Sequence, residues 1–183
     1  VLIDAGCEYE NYAADITRTF PVNGKFSAQQ AAIYDIVLEA LEQAIEVTQS
    51  GAPYNVTNET TIKVITKGLV NLGLLQGEVT DLITSEAHRE FYMHGAGHWL
   101  GMDVHDVGDY KIDGEWRIYE PGMVVTIEPG IYISEHNMRV DEKWRGIGVR
   151  IEDDIMITKT GNKNLTSGVP KSRKAIEELM SKT

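Results

Sequence analysis

The sequence predicts an α+β fold in a single domain. Strand-like apolar runs stand near both ends of the chain, and two long stretches with helical spacing lie between them. The length of 183 residues suits one domain with a sizeable core. The hydrophobic content of 42% and the charged content of 25% are ordinary for a globular protein, so a disordered or fibrous chain is not expected.

The charge balance restricts the classes of partner. A formal net charge of −11 disfavours a nucleic acid or an anionic membrane, because both would repel the chain. Cys7 is the only cysteine, which excludes a disulfide within the chain and favours a reducing compartment. No apolar run approaches the roughly 20 residues of a membrane span, and no signal peptide is visible. We therefore expect a cytoplasmic protein.

The first element is predicted to be a hairpin of residues 1–9 and 12–21, with its turn near Glu10-Asn11. Asp4 and Asp15 stand symmetrically about its midpoint, so we expect them opposite each other with Cβ atoms ~5 Å apart. Two unpaired carboxylates there would repel, whereas a bound cation would reverse the sign of the interaction. The alternative is two exposed acids on polar faces, which fits poorly with Ile3 and Ile16 beside them.

Two helices are predicted next, and a third at the end of the chain. Ser27 is a candidate N-cap for a helix that runs to the break at residues 50–53. A second helix should begin at Asn55 or Thr57. Its apolar face should consist of Ile62, Ile65, Leu69 and Leu72. Residues 172–182 are predicted to form a terminal helix. We expect the first two helices to cover the sheet and to be structural.

The stretch from residue 94 to residue 106 carries the strongest functional pattern. It contains His94, His98 and His105, three of the five histidines of the chain, interleaved with glycines. Neutral imidazole is the commonest transition-metal ligand and a proton shuttle near neutral pH. Glycine lets the backbone come close to a bound ion or substrate. The pattern favours a metal or catalytic site, and the alternative is a set of turns with capped core histidines.

Two further acids stand in predicted strands near the C-terminal end. Glu128 lies in the run 123–133, which Pro129-Gly130 interrupts, and a bulge there would re-aim its side chain. Glu152 lies in the apolar run 148–157. The strand-borne acids and the central histidine together form one candidate set: Asp4, Asp15, His98, Glu128 and Glu152.

Four carboxylates and one imidazole can share a pocket only if positive ions neutralise them. One divalent ion would leave a surplus of negative charge, whereas two would balance it. Mostly oxygen ligation suits Mn²⁺, Fe²⁺ or Co²⁺. Two such ions can share carboxylates and lower the pKa of a bridging water until hydroxide exists at neutral pH. The set therefore indicates hydrolase chemistry.

Four motifs stand in order along residues 2–167. They are Asp4-Ala-Gly with Asp15-Ile-Thr-Arg-Thr, His94-Gly-x-Gly-His98 with His105-Asp, Ile127-Glu128-Pro-Gly, and Gly148-Val-Arg150-Ile-Glu152-Asp. The residues and the order of these motifs resemble those of the M24 metallopeptidases of pita-bread fold. Within that family they are most similar to the bacterial proline-specific aminopeptidases. The resemblance implies a curved, mostly antiparallel sheet covered by helices.

The resemblance also implies two manganese ions at the candidate set. Asp15 and Glu152 would bridge the ions, Asp4 would bind one of them, and His98 and Glu128 would bind the other. A hydroxide bridging the ions would then be the nucleophile. The implied reaction is release of the N-terminal residue from peptides with proline in the second position, in a protein that is a homo-oligomer at full length.

Further roles follow from the same resemblance. Glu128 would receive the proton of the bridging hydroxide, and His105 would stabilise the oxyanion. His94 would orient the substrate beside the proline. Arg150 would hold a ligand carboxylate in place, and Tyr132 would line the pocket.

The chain opens within a strand-like run and without an initiator Met, so we expect a fragment of a longer protein. Members of the family carry an N-terminal domain and further catalytic-domain elements before the Asp4 motif. Residues 1–183 would then be one catalytic metallopeptidase domain without that domain and without the start of its own fold.

Several other functions are compatible with the sequence. A prolidase would use the same ligands on Xaa-Pro dipeptides, and a methionine aminopeptidase would use a related set. The amino-acid sequence of residues 94–106 favours a proline-specific enzyme over a methionine aminopeptidase. A non-catalytic pita-bread binding module, or an inactive metal-binding fragment, is the alternative from another class.

Overall fold

The computed structural model describes residues 1–182, which form an α+β arrangement as predicted. The helices are α1 (Ala28–Val47), α2 (Asn55–Asn71), α3 (Val79–Thr84) and α4 (Arg173–Met180), with 3₁₀ turns at Ala87–Glu90 and Glu142–Trp144. The strands are β1 (Leu2–Asp4), β2 (Glu8–Tyr9), β3 (Tyr12–Ala13), β4 (Thr17–Thr19), β5 (Lys111–Ile112), β6 (Glu115–Trp116), β7 (Val124–Ile127), β8 (Gly130–Tyr132), β9 (Gly148–Arg150), β10 (Asp153–Thr158) and β11 (Gly161–Asn164).

The strands pair antiparallel throughout the described residues, in short sets rather than one long sheet. The sets are β1–β4, β2–β3, β5–β6, β8–β9 and β11–β10–β7. Single contacts join them: the Glu152 amide donates to the Thr17 carbonyl at 3.1 Å, and Trp99 forms an isolated bridge with Val125. These contacts bring the histidine stretch beside β7 and bring β4 beside β9 and β10.

Helix α1 forms as the sequence predicts. Ser27 and Gln30 make a reciprocal capping box that satisfies two amide groups at the helix start. Its buried face, Ile33, Val37, Ala40, Leu41 and Ala44, packs against α2 and against β7, β8 and β9. No helix of residues 1–182 is long and apolar enough to cross a membrane.

Helix α2 begins at Asn55 as predicted, and its predicted apolar face packs on the core: Ile65 and Leu69 are fully buried, and Ile62 and Leu72 are partly buried against them. The prediction omitted the other buried residues of this helix, which include Thr57, Thr61, Val64 and Gly68. Gly68 lets the helices approach, because a Cβ there would stand 2.6 Å from Ile36 Cγ2. The Thr57 hydroxyl shares hydrogen bonds with Thr48 and Tyr119, so polar residues face inward without losing their partners.

The register of the first hairpin differs from the prediction. Glu10 and Asn11 form the two-residue turn, with φ of 51° and 69°. This turn pairs Tyr9 with Tyr12 and, further along, Asp4 with Thr17 rather than with Asp15. The predicted midpoint was one residue early, so the expected direct Asp4–Asp15 pair is wrong, and Asp15 lies diagonally from Asp4.

Other strand predictions are confirmed in part. The break at Pro129-Gly130 divides residues 123–133 into β7 and β8, which pair with different strands. The run 148–157 is likewise divided at Ile151 and Glu152 into β9 and β10. Residues 109–119 contain the β5–β6 hairpin. Because of the breaks at Pro129-Gly130 and at Ile151 and Glu152, β7 pairs with β10 whereas β8 pairs with β9.

Gly97 allows the histidine stretch to lie against β7. A Cβ at Gly97 would stand 1.9 Å from the carbonyl oxygen of Thr126, whereas a Cβ at Gly95 would meet nothing within 4 Å. The same stretch bonds to β7 through the Thr126 amide, which donates to the His98 carbonyl at 3.0 Å. A side chain at position 97 would therefore separate the two segments.

We predict that Gly97→Ala lowers the free energy of unfolding by on the order of 1–3 kcal/mol, because backbone must move to admit the methyl group. Gly95→Ala is the matched control and should change it by less than about 0.5 kcal/mol. Denaturant unfolding of both variants measures the difference. Equal stability of the two variants would contradict the close approach at Gly97.

Candidate metal centre

Three side chains from separate parts of the sequence converge at the centre of the site. Asp15, His98 and Glu152 each offer one ligand atom, and these atoms lie within 4.8 Å of one another. His98 Nε2 stands 3.4 Å from Asp15 Oδ2 and 3.6 Å from Glu128 Oε1. Four of the five predicted ligands are therefore neighbours.

The orientation of His98 directs one ring nitrogen at the acids. Its Nδ1–H donates to the Trp99 carbonyl at 3.0 Å, since a carbonyl can only accept. In the neutral ring this tautomer leaves the lone pair of Nε2 facing the carboxylates of Asp15 and Glu128. Such an arrangement is repulsive by itself and becomes attractive around a cation.

Asp4 completes the set at its exposed edge. Its side chain is 45% exposed and accepts a hydrogen bond from Arg150 Nη2 at 2.6 Å. Burial, and then the hydrogen bond and negative charge of Asp4, raise the pKa of Asp15. The predicted contact between these two acids therefore exists, although it is diagonal across the hairpin.

Glu152 is buried in the floor of the site. Its Oε2 accepts a hydrogen bond of 2.6 Å from the Thr17 hydroxyl, while its Oε1 is buried without a hydrogen-bond partner among the described residues. Burial raises the pKa of Glu152 to about 8 and that of Glu128 to about 7. A buried acceptor without a donor is costly, and a cation would satisfy it.

The residues present fit divalent cations. Carboxylate oxygens and one imidazole nitrogen are ligands that Mn²⁺, Fe²⁺ or Co²⁺ accept. The free Oε1 of Glu152 and the raised pKa values of three neighbouring acids indicate that positive charge belongs between them. The site thus carries the donors and the unbalanced charge of a metal centre.

Arg150 connects the acids to His94. Its Nη1 donates to the Tyr132 hydroxyl at 3.2 Å, and that hydroxyl donates to His94 Nε2 at 2.8 Å. His94 Nδ1–H donates in turn to the Gly95 carbonyl at 2.8 Å, and burial lowers the pKa of His94. The chain of bonds holds His94 as one neutral tautomer, 3.9 Å from Glu128 Oε2.

His105 occupies the exposed rim of the site. Its ring centroid lies 4.3 Å from that of His98, nearly perpendicular to it. It is solvent-exposed, in the loop that follows the bridge to β7. All nine residues singled out in the sequence therefore lie in one region: Asp4, Asp15, His94, His98, His105, Glu128, Tyr132, Arg150 and Glu152.

Sequence reasoning missed two residues of the site. Thr17 donates to Glu152 and accepts from Arg150 Nε at 3.1 Å, so it connects the two side chains. Asp154 Oδ2 accepts the Asp15 amide at 3.1 Å, and burial raises the pKa of Asp154 to about 6. The signal for Thr17 was present, because alternate residues of a strand share a face and Thr17 follows Asp15 by two.

Comparison with known proteins agrees with this geometry. Metallopeptidase family M24 matches residues 1–159. Xaa-Pro aminopeptidase of Escherichia coli K12 is 57% identical over 180 residues, which cover 98% of this chain and 40% of that protein. The structure of Pseudomonas aeruginosa aminopeptidase PepP has a TM-score of 0.98 at 60% identity, over 99% of this chain and 41% of that one. Escherichia coli aminopeptidase P with the inhibitor Pro-Leu has a TM-score of 0.94 at 56% identity, over 99% and 41%.

The chain belongs to metallopeptidase family M24, and the predicted pita-bread fold is confirmed. Its homologues are Xaa-Pro aminopeptidases, and the family implies divalent metal ions. The chain spans about 40% of the length of the curated relatives it matches.

We predict that Mn²⁺ raises the melting temperature of the protein, and raises it more at about pH 8 than at about pH 5.5. The folded-state pKa values of Glu128 and Glu152 lie above their ordinary 4.5. Their contribution to stability is therefore full below about pH 4.5 and is lost as the pH rises through about 7 to 8. A cation restores this loss, so an equal shift at both pH values would contradict the prediction.

Glu152→Gln should stabilise the metal-free protein at about pH 8 by on the order of 2 kcal/mol, because it removes a buried charge. The amide still accepts the Thr17 hydroxyl, and its N–H groups can donate to nearby carboxylates. The same variant should lose most of the Mn²⁺-dependent shift in melting temperature. Glu142→Gln, at an exposed position, is the control and should behave as the unsubstituted protein does.

Proposed function

We propose that the protein, at its full length, is a metal-dependent aminopeptidase that releases the N-terminal residue from peptides with proline in the second position. The observation that carries this proposal is the convergence of Asp15, His98, Glu128 and Glu152 around one point, with Oε1 of Glu152 left without a donor. The names of the similar proteins support the choice of substrate class.

We propose two Mn²⁺ ions as the cofactor, held by Asp4, Asp15, His98, Glu128 and Glu152. Asp15 and Glu152 are the central pair and would be shared between the ions. Four carboxylates and one neutral imidazole carry a formal charge that two divalent cations balance. When bound, such ions polarise the scissile carbonyl and lower the pKa of a water molecule between them.

Glu128 is the proposed general base. In the metal-free protein burial raises its pKa to about 7, and a carboxylate is a group that can accept and return a proton. Its Oε2 faces His94 and its Oε1 faces His98, so the carboxylate lies between the substrate side and the metal side of the site. It would take the proton of the attacking water and pass it to the leaving imino nitrogen of proline.

The two flanking histidines are proposed to handle the substrate. His105, exposed at the rim, can donate a hydrogen bond to the carbonyl oxygen where negative charge develops. His94 is held in place by Tyr132 and Arg150 and would orient the peptide beside the proline. Proline provides a tertiary amide without an N–H, so recognition depends on positioning its ring rather than on an amide hydrogen bond.

We further propose that the protein acts in the cytoplasm as a homo-oligomer, with peptides rather than nucleic acids or membranes as partners. The net charge of −11 disfavours nucleic acids and anionic membranes as partners, and the single exposed Cys7 supports a reducing compartment.

The test is Glu128→Gln in the full-length protein, assayed on the peptide Arg-Pro-Pro with added Mn²⁺. We expect kcat to fall by about 10²–10⁴-fold, because the amide cannot accept the proton. Glu142→Gln should retain full activity. Retained turnover in Glu128→Gln would remove the proposed base.

The substrate series separates the remaining candidates. An aminopeptidase of this specificity should release Arg from Arg-Pro-Pro and leave Arg-Ala-Pro intact. Preference for the dipeptide Arg-Pro would identify a prolidase instead. Absence of both metal binding and cleavage in the unsubstituted full-length protein would identify a non-catalytic module.

A further inference from the structure

Arg18 is a buried cation behind the acid cluster, and it contacts the site only through main-chain carbonyls. It lies in β4 next to Thr17, and successive strand residues point to opposite faces, so Thr17 faces the acids and Arg18 faces away from them. Its side chain is only 10% exposed. Nothing in the proposed chemistry uses it.

All the hydrogen-bonding capacity of this guanidinium is used. Nη1 donates to the carbonyls of Thr17 at 2.9 Å and Glu152 at 2.6 Å. Nη2 donates to Asp153 Oδ1 at 2.7 Å and to the Val169 carbonyl at 3.0 Å, and Nε donates to the Pro170 carbonyl at 3.1 Å. A guanidinium carries five N–H groups in a rigid fork, and each has an acceptor here.

These bonds fix the main chain of Glu152 against β4. The Thr17 carbonyl accepts both from Arg18 Nη1 and from the Glu152 amide, and the Glu152 carbonyl accepts from the same Nη1. Glu152 lies at the break between β9 and β10, outside the strand pairs, and its amide bonds to the Thr17 carbonyl of β4. Arg18 supplies the donor for the Glu152 carbonyl, so both main-chain polar groups of Glu152 are bonded to residues of β4.

The charge of Arg18 is balanced within the same cluster. Asp153 is fully buried and accepts hydrogen bonds from Arg18, Lys171, Asn164 and Thr166. A buried ion pair contributes little net stability against an apolar replacement of the same shape, yet it is specific in its geometry. This cluster thus suits a role in alignment more than one in stability alone.

We propose that Arg18 is a positioning residue that sets the placement of Glu152 relative to Asp15 and thereby the affinity of the site for divalent cations. This inference rests on the proposed metal-dependent function. Two of its five bonds act on Glu152 and Thr17, so a change in Arg18 shifts the main chain that carries the buried carboxylate and the hydroxyl bonded to it. Outer partners of metal ligands commonly change affinity by about 10–100-fold.

The experiment measures Mn²⁺ dissociation constants by calorimetry for the full-length protein and for Arg18→Lys. Lysine keeps the charge and can reach Asp153, but it cannot serve the two carbonyls and the carboxylate with one planar fork. We expect the dissociation constant to rise by about tenfold or more. All measurements are made at least about 20 °C below each variant's melting temperature, so that unfolding does not affect binding.

Two controls separate positioning from stability. Arg173→Lys makes the same chemical change at the exposed ion pair with Asp35 and should leave the dissociation constant unchanged. Lys171→Met removes another partner of Asp153 and should lower the melting temperature while it leaves affinity within about twofold.

The outcomes are distinct. A larger dissociation constant for Mn²⁺ in Arg18→Lys, with the affinity of both control variants unchanged, supports the proposal. Binding by Arg18→Lys within twofold of the unsubstituted protein overturns it, whatever the melting temperature. Failure of the unsubstituted protein to bind Mn²⁺ overturns the proposed function itself and this inference with it.

Discussion

The structure depends on how negative charge is accommodated at one point between its strand pairs. Asp15, Glu128 and Glu152 are drawn together in a partly or fully buried region, and burial raises the pKa of each. Folding to this arrangement is unfavourable for the carboxylates alone at neutral pH. Bound cations would offset this unfavourable free energy of burying the carboxylates. The same residues therefore link the stability of the fold to its proposed function.

The architecture serves this cluster by bringing short strands from distant parts of the chain to a common point. Breaks at Pro129-Gly130 and at Ile151 and Glu152 let single segments contribute to two strand pairs. Two arginines then act on opposite faces of the same region. Arg150 bonds to Asp4 and to the Tyr132 hydroxyl that holds His94 on one face, while Arg18 holds the main chain of Glu152 on the other. The permanent positive charges thus align the site without occupying its centre.

Much of the fold could be predicted from the sequence, because helical spacing, helix caps and sequence motifs are local features of the chain. Helix α1, the Glu10-Asn11 turn and the strand break at Pro129-Gly130 are examples. The Asp4–Asp15 register could not be fixed, since an error of one residue in the turn moves every cross-strand partner. The inward face of α2 depended on Gly68 meeting Ile36, a contact between distant residues. Arg18 was missed as a partner because its role arises only when β4 lies beside Glu152.

The central claim is that divalent cations bind between Asp15 and Glu152. It is tested most directly by anomalous diffraction at the manganese edge from crystals of the full-length protein grown with Mn²⁺. The account predicts two anomalous peaks, both within bonding distance of Asp15 and Glu152, one also beside Asp4 and the other beside His98 and Glu128. A map without a peak between Asp15 and Glu152, or with manganese only at surface acids, would contradict it.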